Sequence, residues 1–556
     1  MQRRRALAFF LAVPIAAAAG TAVWVTDSSS SDGNPGTDPG AAPGSGAPDP
    51  GGAEPGAAEA GEPPPGPLAA DARGLVPIPI EALGAKGAGW TLSRDTRVRA
   101  ATEAARAVAE VVAAELRTAT GLPLPVVVDA RAHAGTDLSL VPDPPGTTPA
   151  DRPAGDEAYA LTVTAGGATI RASAPAGLYR GAQTLRQLVP ARAPFELRPA
   201  VVRDAPRYPY RGIMIDLARH FYPPAEMRRL IDHIAAYKFN HLHLHLTDDQ
   251  GWRIAIEGRP RLTGIGASTQ VGGGPGGFWT AADYQGVIGY AAERFITVVP
   301  EIDMPGHTNA AIVAYPELAC DGRKYAPYTG TQVGFSALCV DGEATYTFLD
   351  EVLGRLAELT PGPYLHIGGD ETHTLKPAQY RAFMARAQPI VARHGKQLIA
   401  WHQLAAGDPV PGAIIEYWGA SKQDAAAVAA AARAGHKVVM APADHAYLDM
   451  KYAGGERLGV TWAGTVDVRT SYDWEPSTHL PGLPADAVLG VEGALWGETI
   501  KSVADAEYLL FPRIAAVAEA AWSRPERRDW ADFRTRIGTH EARWQARGIN
   551  YARKLS

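Results

Sequence analysis

The chain has 556 residues, 46% of them hydrophobic and 20% charged, with a formal net charge of −6. That is too long for one ordinary domain, and the composition is that of a soluble globular protein with two folded units. A small negative charge spread over this length gives no footing for nucleic acid, and no such partner is expected.

The first thirty residues (1–30) read as a targeting segment. Arg3, Arg4 and Arg5 precede an uncharged run over 6–25 rich in Ala, Leu, Phe and Val, which is a basic n-region followed by a hydrophobic stretch. The Ala-rich part near 16–20 offers a signal-peptidase site. Left uncleaved, the run is long enough to act as a membrane anchor. Both routes predict export, with the membrane a partner only in the anchored case. The arginines resemble a twin-arginine signal only weakly, and the absence of a nearby Cys excludes lipoprotein anchoring. Residues 31–70 are half Gly or Pro, a composition that buries no core and reads as a disordered linker.

From 71 to 206 the pattern predicts a small α+β domain. A helix is expected over 102–118 and a second over 174–188, where Leu178, Leu185 and Leu188 share one face. Strands are expected at 125–129, 159–164 and 168–172, the last two joined as a hairpin by Gly166 and Gly167. No catalytic cluster falls here.

From 207 to 545 the rhythm changes. Short apolar runs at 212–217, 241–247, 297–302, 364–367, 398–401, 413–418, 437–441 and 488–495 alternate mostly with helical stretches such as 224–237, 280–294 and 346–359. This alternation predicts a (β/α)8 TIM barrel, with an open doubly wound sheet as the alternative. No phosphate-cradling glycine motif follows a strand, and the cluster at 272–277 reads as a flexible loop. The two cysteines, Cys320 and Cys339, lie within the barrel region. In an exported protein such a pair reads as a disulfide pinning the intervening loop, with two buried thiols as the alternative.

The polar residues of this region share an address. Asp216 and Arg219, Asp248 and Asp249, Glu301, Asp303 and His307, then Asp370 and Glu371 each follow one of the first four runs. Trp401, Trp418, Tyr447 with Asp449, and Trp496 with Glu498 follow the last four. In a barrel those are the strand C-termini and the loops that build an active face. The most informative segment is HIGGDE (366–371), where two glycines allow a sharp bend and two carboxylates stand at a strand end. An acidic first helical turn is the plain alternative. Paired carboxylates among Trp401, Trp418, Trp462 and Trp496 suit a carbohydrate, because indole faces pack on sugar rings while carboxylates and Arg bind hydroxyls.

The stretch HLHLHL (241–246) invites a metal reading. Alternation puts His241, His243 and His245 on one side of a strand, facing the barrel interior, with the leucines turned toward the helices. Neighbouring histidines then stand about 6.6 Å apart, and the outer two are too distant to share one zinc. No second histidine cluster is evident, so no metal and no cofactor is expected.

RGIMIDLARHF (211–221), HLHLHLTDDQGWR (241–253), PEIDMPGH (300–307), HIGGDE (366–371), YLDMKY (447–452) and GALWGE (493–498) occur in this order. Together they resemble glycoside hydrolase family 20, the β-N-acetylhexosaminidases, over about 71–540. The resemblance implies an exo-acting retaining glycosidase that removes terminal β-linked N-acetylglucosamine or N-acetylgalactosamine, chitooligosaccharides being the expected substrate. The substrate's own 2-acetamido oxygen would attack the anomeric carbon and form an oxazolinium ion. Glu371 would be the acid and then the base; Asp370 would orient the acetamido N–H; Tyr447 would hold its oxygen. Trp401, Trp418 and Trp462 would wall the acetamido pocket and Trp496 would lie under the sugar. Arg219, Asp248, Asp449 and Glu498 would bind hydroxyls. His307, supported by Asp303, would tune Glu371. The Gly/Pro-rich lead resembles that of an actinobacterial secreted enzyme, monomeric or dimeric. A sugar-binding protein without catalysis is disfavoured by the presence of both Asp370 and Glu371.

Overall fold

The structure is a computed structural model that describes residues 74–130, 136–144, 146–147, 152–419 and 421–555. The expected leader and linker lie outside the described residues.

The first folded region is a seven-stranded mixed sheet with two helices packed on it and on each other. Its strands are β1 (Glu81–Gly84), β2 (Val98–Ala100), β3 (Val126–Val128), β4 (Asp137–Pro142), β5 (Tyr159–Thr164), β6 (Gly167–Ala172) and β7 (Ala200–Asp204), in the spatial order β1-β7-β5-β6-β4-β2-β3. Helix α1 (Glu103–Thr120) starts where Thr102 accepts a hydrogen bond from the Ala105 N–H, and stops at Gly121 in the left-handed region, φ 70°. It buries Ala105, Val108, Val112 and Leu116, one helical stripe. Helix α2 (Pro175–Leu188) begins with Pro in its first turn. The β5–β6 hairpin turns between Thr164 and Gly167 in antiparallel register. The sequence pattern misses β1, β2, β4 and β7. β2 spans only three residues, all buried, and β4 is buried at five consecutive positions, so neither alternates.

Eight strands then close a barrel: β8 (Tyr210–Asp216), β9 (His241–His245), β10 (Thr297–Glu301), β11 (Tyr364–His366), β12 (Gln397–Trp401), β13 (Ile414–Tyr417), β14 (Lys437–Met440) and β15 (Val488–Leu495). They pair in chain order, all parallel, and β15 returns to β8 with Tyr210 opposite Gly490 and Ile215 opposite Leu495. This is the predicted (β/α)8 barrel, preceded by the α+β unit. Helices α3 (Pro224–Ala236), α4 (Ala281–Ala292) and α5 (Glu343–Leu359) fall within two to three residues of the predicted bounds. Leu242, Leu244 and Leu246 share a wholly buried core with Leu230 and Ile234 of α3, the helix-facing role that alternation predicts.

The two regions are joined by buried polar contacts. Lys238 Nζ lies 3.0 Å from Asp204 and 2.8 Å from the Tyr159 hydroxyl, and Trp522 Nε1 donates to the same carboxylate. Glu157 accepts from Arg180 at 2.7 Å and from Arg211 at 2.6 Å. With two guanidiniums against it, its carboxyl stays ionised, held down to about 2 despite burial. Cys320 and Cys339 form a disulfide, Cα–Cα 4.8 Å, that closes the loop after β10.

Candidate active site

The C-terminal ends of the eight strands converge on one polar basin. HIGGDE leaves β11 through Gly368 and Gly369, both left-handed at φ 66° and 102°. A Cβ on Gly368 would stand 1.7 Å from Asp303 Oδ1, and one on Gly369 would meet Met384 at 2.8 Å. Only glycine fits this bend. Gly369 N–H donates to Asp303 Oδ1 at 3.1 Å, and Trp401 N–H donates to Gly368 O at 2.9 Å, so neighbouring strand ends fix the turn. Glu371 itself is held at φ 45°, a costly conformation for a residue with a side chain. The result separates two neighbours in sequence. The Glu371 side chain is 28% exposed at the mouth, while that of Asp370 is 9% exposed behind it.

Their environments differ accordingly. Burial, reinforced by the adjacent Glu371, raises the Asp370 carboxyl to about 6 against the pull of His307. Its Oδ1 is buried with no hydrogen-bond partner among the described residues. Glu371 Oε2 lies 3.4 Å from His307 Nε2. His307 Nδ1 is 3.2 Å from Asp248, which in turn holds Arg219 at 2.7 Å and His245 Nε2 at 3.0 Å. Burial works against charge on His307, but Asp248, Asp303 and Asp370 outweigh it and keep the imidazole protonated well above its usual range. Asp248, despite burial, is held well below the usual carboxylate range by Arg219 and His307.

Below Asp248 the connection continues into the barrel. His245 Nδ1 meets Glu301 Oε2 at 2.5 Å, the same oxygen lies 3.1 Å from His243 Nε2, and His243 Nδ1 lies 2.8 Å from Glu492 Oε1. Burial lowers the His245 imidazole, yet Glu301 and Asp248 outweigh it and push it up to about 10. Glu416, beside Glu492, is driven well above the carboxylate range by burial and by that neighbour, so the pair carries one negative charge between them. His241, one layer further from the basin, instead stacks on Tyr210 at 3.9 Å and is held neutral, near 3, by burial and Arg211.

Aromatic rings line the other side. Trp401 is wholly buried, its Nε1 donating to Glu301 Oε1 at 2.9 Å and its ring 5.8 Å from Trp496. Trp496 lies under the Arg219 guanidinium at 4.9 Å. Trp462, 56% exposed, stands edge-on to Trp418 at 5.9 Å and to Tyr447 at 5.8 Å. Near Trp496, both carboxylate oxygens of Asp449, Glu498 Oε2 and Arg219 Nε are buried without hydrogen-bond partners among the described residues. Buried polar atoms are nearly always paired, so such a cluster fits a polyhydroxylated ligand. Burial, then Glu498, raises the Asp449 carboxyl well above its usual range.

Most of the expected site residues therefore meet in one basin, and Asp248 adds contacts that the sequence did not show. The direct contact of His307 is Asp248, at 3.2 Å, while Asp303, whose Oδ1 is taken by the Gly369 N–H, supports the imidazole through its charge. Asp248 is 1% exposed, and its carboxylate is engaged by Arg219, His245 and His307. No second histidine cluster is evident in the sequence, yet adjacent strands bring single ligand-type residues beside the strand of histidines. His243, Glu301 and His366 bring ligand atoms within 4.8 Å of one another, brought together by adjacent strands. The sequence places Glu301 on the active face and His366 in HIGGDE without a particular role for either, and it does not single out Glu416 or Glu492. Their signal was position, because each is a charged or titratable residue inside an otherwise apolar strand. The glycine loop at 272–277 is packed at its end, where a Cβ on Gly277 would strike the Phe221 ring at 2.3 Å.

A barrel with neighbouring carboxylates at a strand end, an imidazole on one of them and an aromatic wall around both defines a glycoside hydrolase. The match to known sequences narrows this. Residues 208–380 and 372–525 match the glycosyl hydrolase family 20 catalytic domain, and residues 72–205 match domain 2 of that family. The chain belongs to glycosyl hydrolase family 20 and is one of its β-N-acetylhexosaminidases. It is 46% identical over 403 residues to a β-N-acetylhexosaminidase of Cellulomonas fimi, covering 72% of this chain and 81% of that relative. A solved β-N-acetylhexosaminidase of this family from Streptomyces coelicolor A3(2) superposes with a TM-score of 0.83 at 47% identity, over 88% of this chain and 99% of the other. A mutant Streptomyces plicatus β-hexosaminidase in complex with its product, GlcNAc, matches with a TM-score of 0.83 at 47% identity, over 87% and 97% of the two chains.

Proposed function

We propose that this β-N-acetylhexosaminidase removes single terminal β-linked N-acetylglucosamine or N-acetylgalactosamine residues with retention, and that the substrate's acetamido group is the nucleophile. The observation that carries this reading is the division of labour between Asp370 and Glu371. Glu371 is accessible and lies beside the cationic His307, so it can give a proton to the leaving oxygen and later take one from water. Asp370 is buried behind it with one oxygen unpartnered, suited to accept the acetamido N–H and to stabilise the positive charge that develops on an oxazolinium ion. Tyr447, set among Trp462, Trp496 and Trp418, would aim the acetamido oxygen at the anomeric carbon. Arg219, Asp449 and Glu498 would take the hydroxyls of the terminal sugar. His307, 3.2 Å from Asp248 and 3.4 Å from Glu371, would hold Glu371 in place during the first step.

Chitooligosaccharides are the proposed natural substrate, and the proposed place of action is outside the cell, reached through the N-terminal segment. The test is hydrolysis of chitobiose, a longer chitin oligomer and an aryl N-acetylgalactosaminide, with products resolved by chromatography. Monosaccharide release from the non-reducing end supports the reading. Release of disaccharides, or binding without turnover, contradicts it.

A further inference from the structure

We propose that Asp444, His445 and His479 form a binding site for one divalent transition-metal ion of the zinc type, on the rim of the barrel beside the loop that carries Tyr447. The three residues come from two segments. Asp444 and His445 lie in the helical turn Ala443–Ala446 that follows β14, and Tyr447 is the next residue. His479 comes from the loop after helix Val468–Tyr472.

The geometry is that of ligands gathered around a point. One donor atom from each residue lies within 4.8 Å of the other two. His445 Nδ1 is 2.8 Å from Asp444 Oδ1, and His479 Nε2 is 3.9 Å from the same oxygen. His445 Nδ1, although this close, is not aligned as a hydrogen bond and has no hydrogen-bond partner among the described residues. A tetrahedral zinc site with ligand bonds of about 2.0–2.2 Å places its donors about 3.4 Å from one another, the middle of this range. The imidazole rings are 5.0 Å apart and nearly perpendicular. Trp474 stands 5.9 Å from one and 5.5 Å from the other, a wall that limits their rotation. Side-chain exposures of 49%, 21% and 19% leave an entry path.

Donor chemistry selects the ion. Two imidazoles and one carboxylate suit Zn2+, Cu2+ or Ni2+, whereas Ca2+ and Mg2+ favour all-oxygen shells. Three protein ligands leave a fourth position for water. The grouping of His243 with Glu301 and His366, by contrast, is wholly buried and already joined to the charge ladder beneath the basin. An ion at the rim would join the Tyr447 turn to the His479 loop and restrain both, without touching substrate.

The test uses the untagged full chain, stripped of metal by chelation and then titrated with Zn2+ calorimetrically and with Co2+ by visible absorption. One equivalent of Zn2+ and a tetrahedral Co2+ spectrum are expected. His479→Ala and Asp444→Asn should each lose both signals, while His479→Ala keeps its hydrolysis of an aryl β-N-acetylglucosaminide. An anomalous difference map from zinc-soaked wild-type crystals serves as a measurement independent of any variant, with one peak expected between the three side chains. No uptake by wild type, unchanged uptake by both variants, or a peak elsewhere would overturn the proposal.

Discussion

Acid should switch off this enzyme through Asp370 before it denatures it. The carboxyl is raised from 3.8 to about 6, first by burial and then by Glu371, with His307 opposing. An aspartate that accepts an amide N–H and faces a developing cation must be ionised, so kcat/KM should fall as pH drops through this value. The ionised fraction goes from about nine-tenths at pH ~7 to about one-tenth at pH ~5, a loss of about tenfold. Asp303 is driven up by burial and by Asp370 itself, so the limb belongs to the pair. The same shift has the opposite sign for stability. The folded carboxyl keeps a proton that the unfolded one releases between 3.8 and about 6. Raising the pH through that window therefore costs about 3 kcal/mol from this group, and lowering it does not destabilise through this group. The assay is kcat/KM for an aryl β-N-acetylglucosaminide across pH, with circular dichroism as the folding control. Asp370→Asn should lower the plateau and remove the limb. A profile flat to about pH 4, or a limb that survives in Asp370→Asn, would refute the assignment.

Glu371→Gln should lose about 10²- to 10⁴-fold on substrates with poor leaving groups and far less on activated aryl glycosides, read as kcat on both; equal losses would remove the acid role. Asp248→Asn leaves Arg219, His245 and His307 without the carboxylate they share, and should cost about 3–5 kcal/mol in urea unfolding together with lost activity. A variant as stable as wild type would mean that these cations find other partners. Breaking the Cys320–Cys339 bridge, whose residues are 19 apart, should cost about 3 kcal/mol in thermal unfolding through loop entropy. No change on reduction would show that the loop is held by its packing alone.

The barrel was legible because its strands and helices repeat with different periods, and the basin because polar residues fell repeatedly just after apolar runs. Gly368 and Gly369 announced a bend that admits no side chain, as their neighbours Asp303 and Met384 show. The partner choice of His307 was not legible. Asp303 is near it in sequence, but Asp248 reaches it across the β9–β10 pairing, and only strand order and register place that carboxylate. The ladder of His245, Glu301, His243 and Glu492 was hidden for the same reason. Its members come from three strands, β9, β10 and β15, and closure of the barrel brings them within 3.1 Å of their neighbours. Alternation did show that the histidines face inward, but not that carboxylates from β10 and β15 would meet them there.

The central claim is that the substrate supplies the nucleophile. The most direct measurement combines proton NMR of the first-formed sugar anomer with kcat/KM for a series of aryl β-N-acetylglucosaminides whose acetamido group carries increasing fluorine. The β-anomer should appear first, and kcat/KM should fall steeply with each fluorine, because fluorine drains the oxygen that attacks. An α-anomer first, or a rate indifferent to fluorination, would contradict the claim.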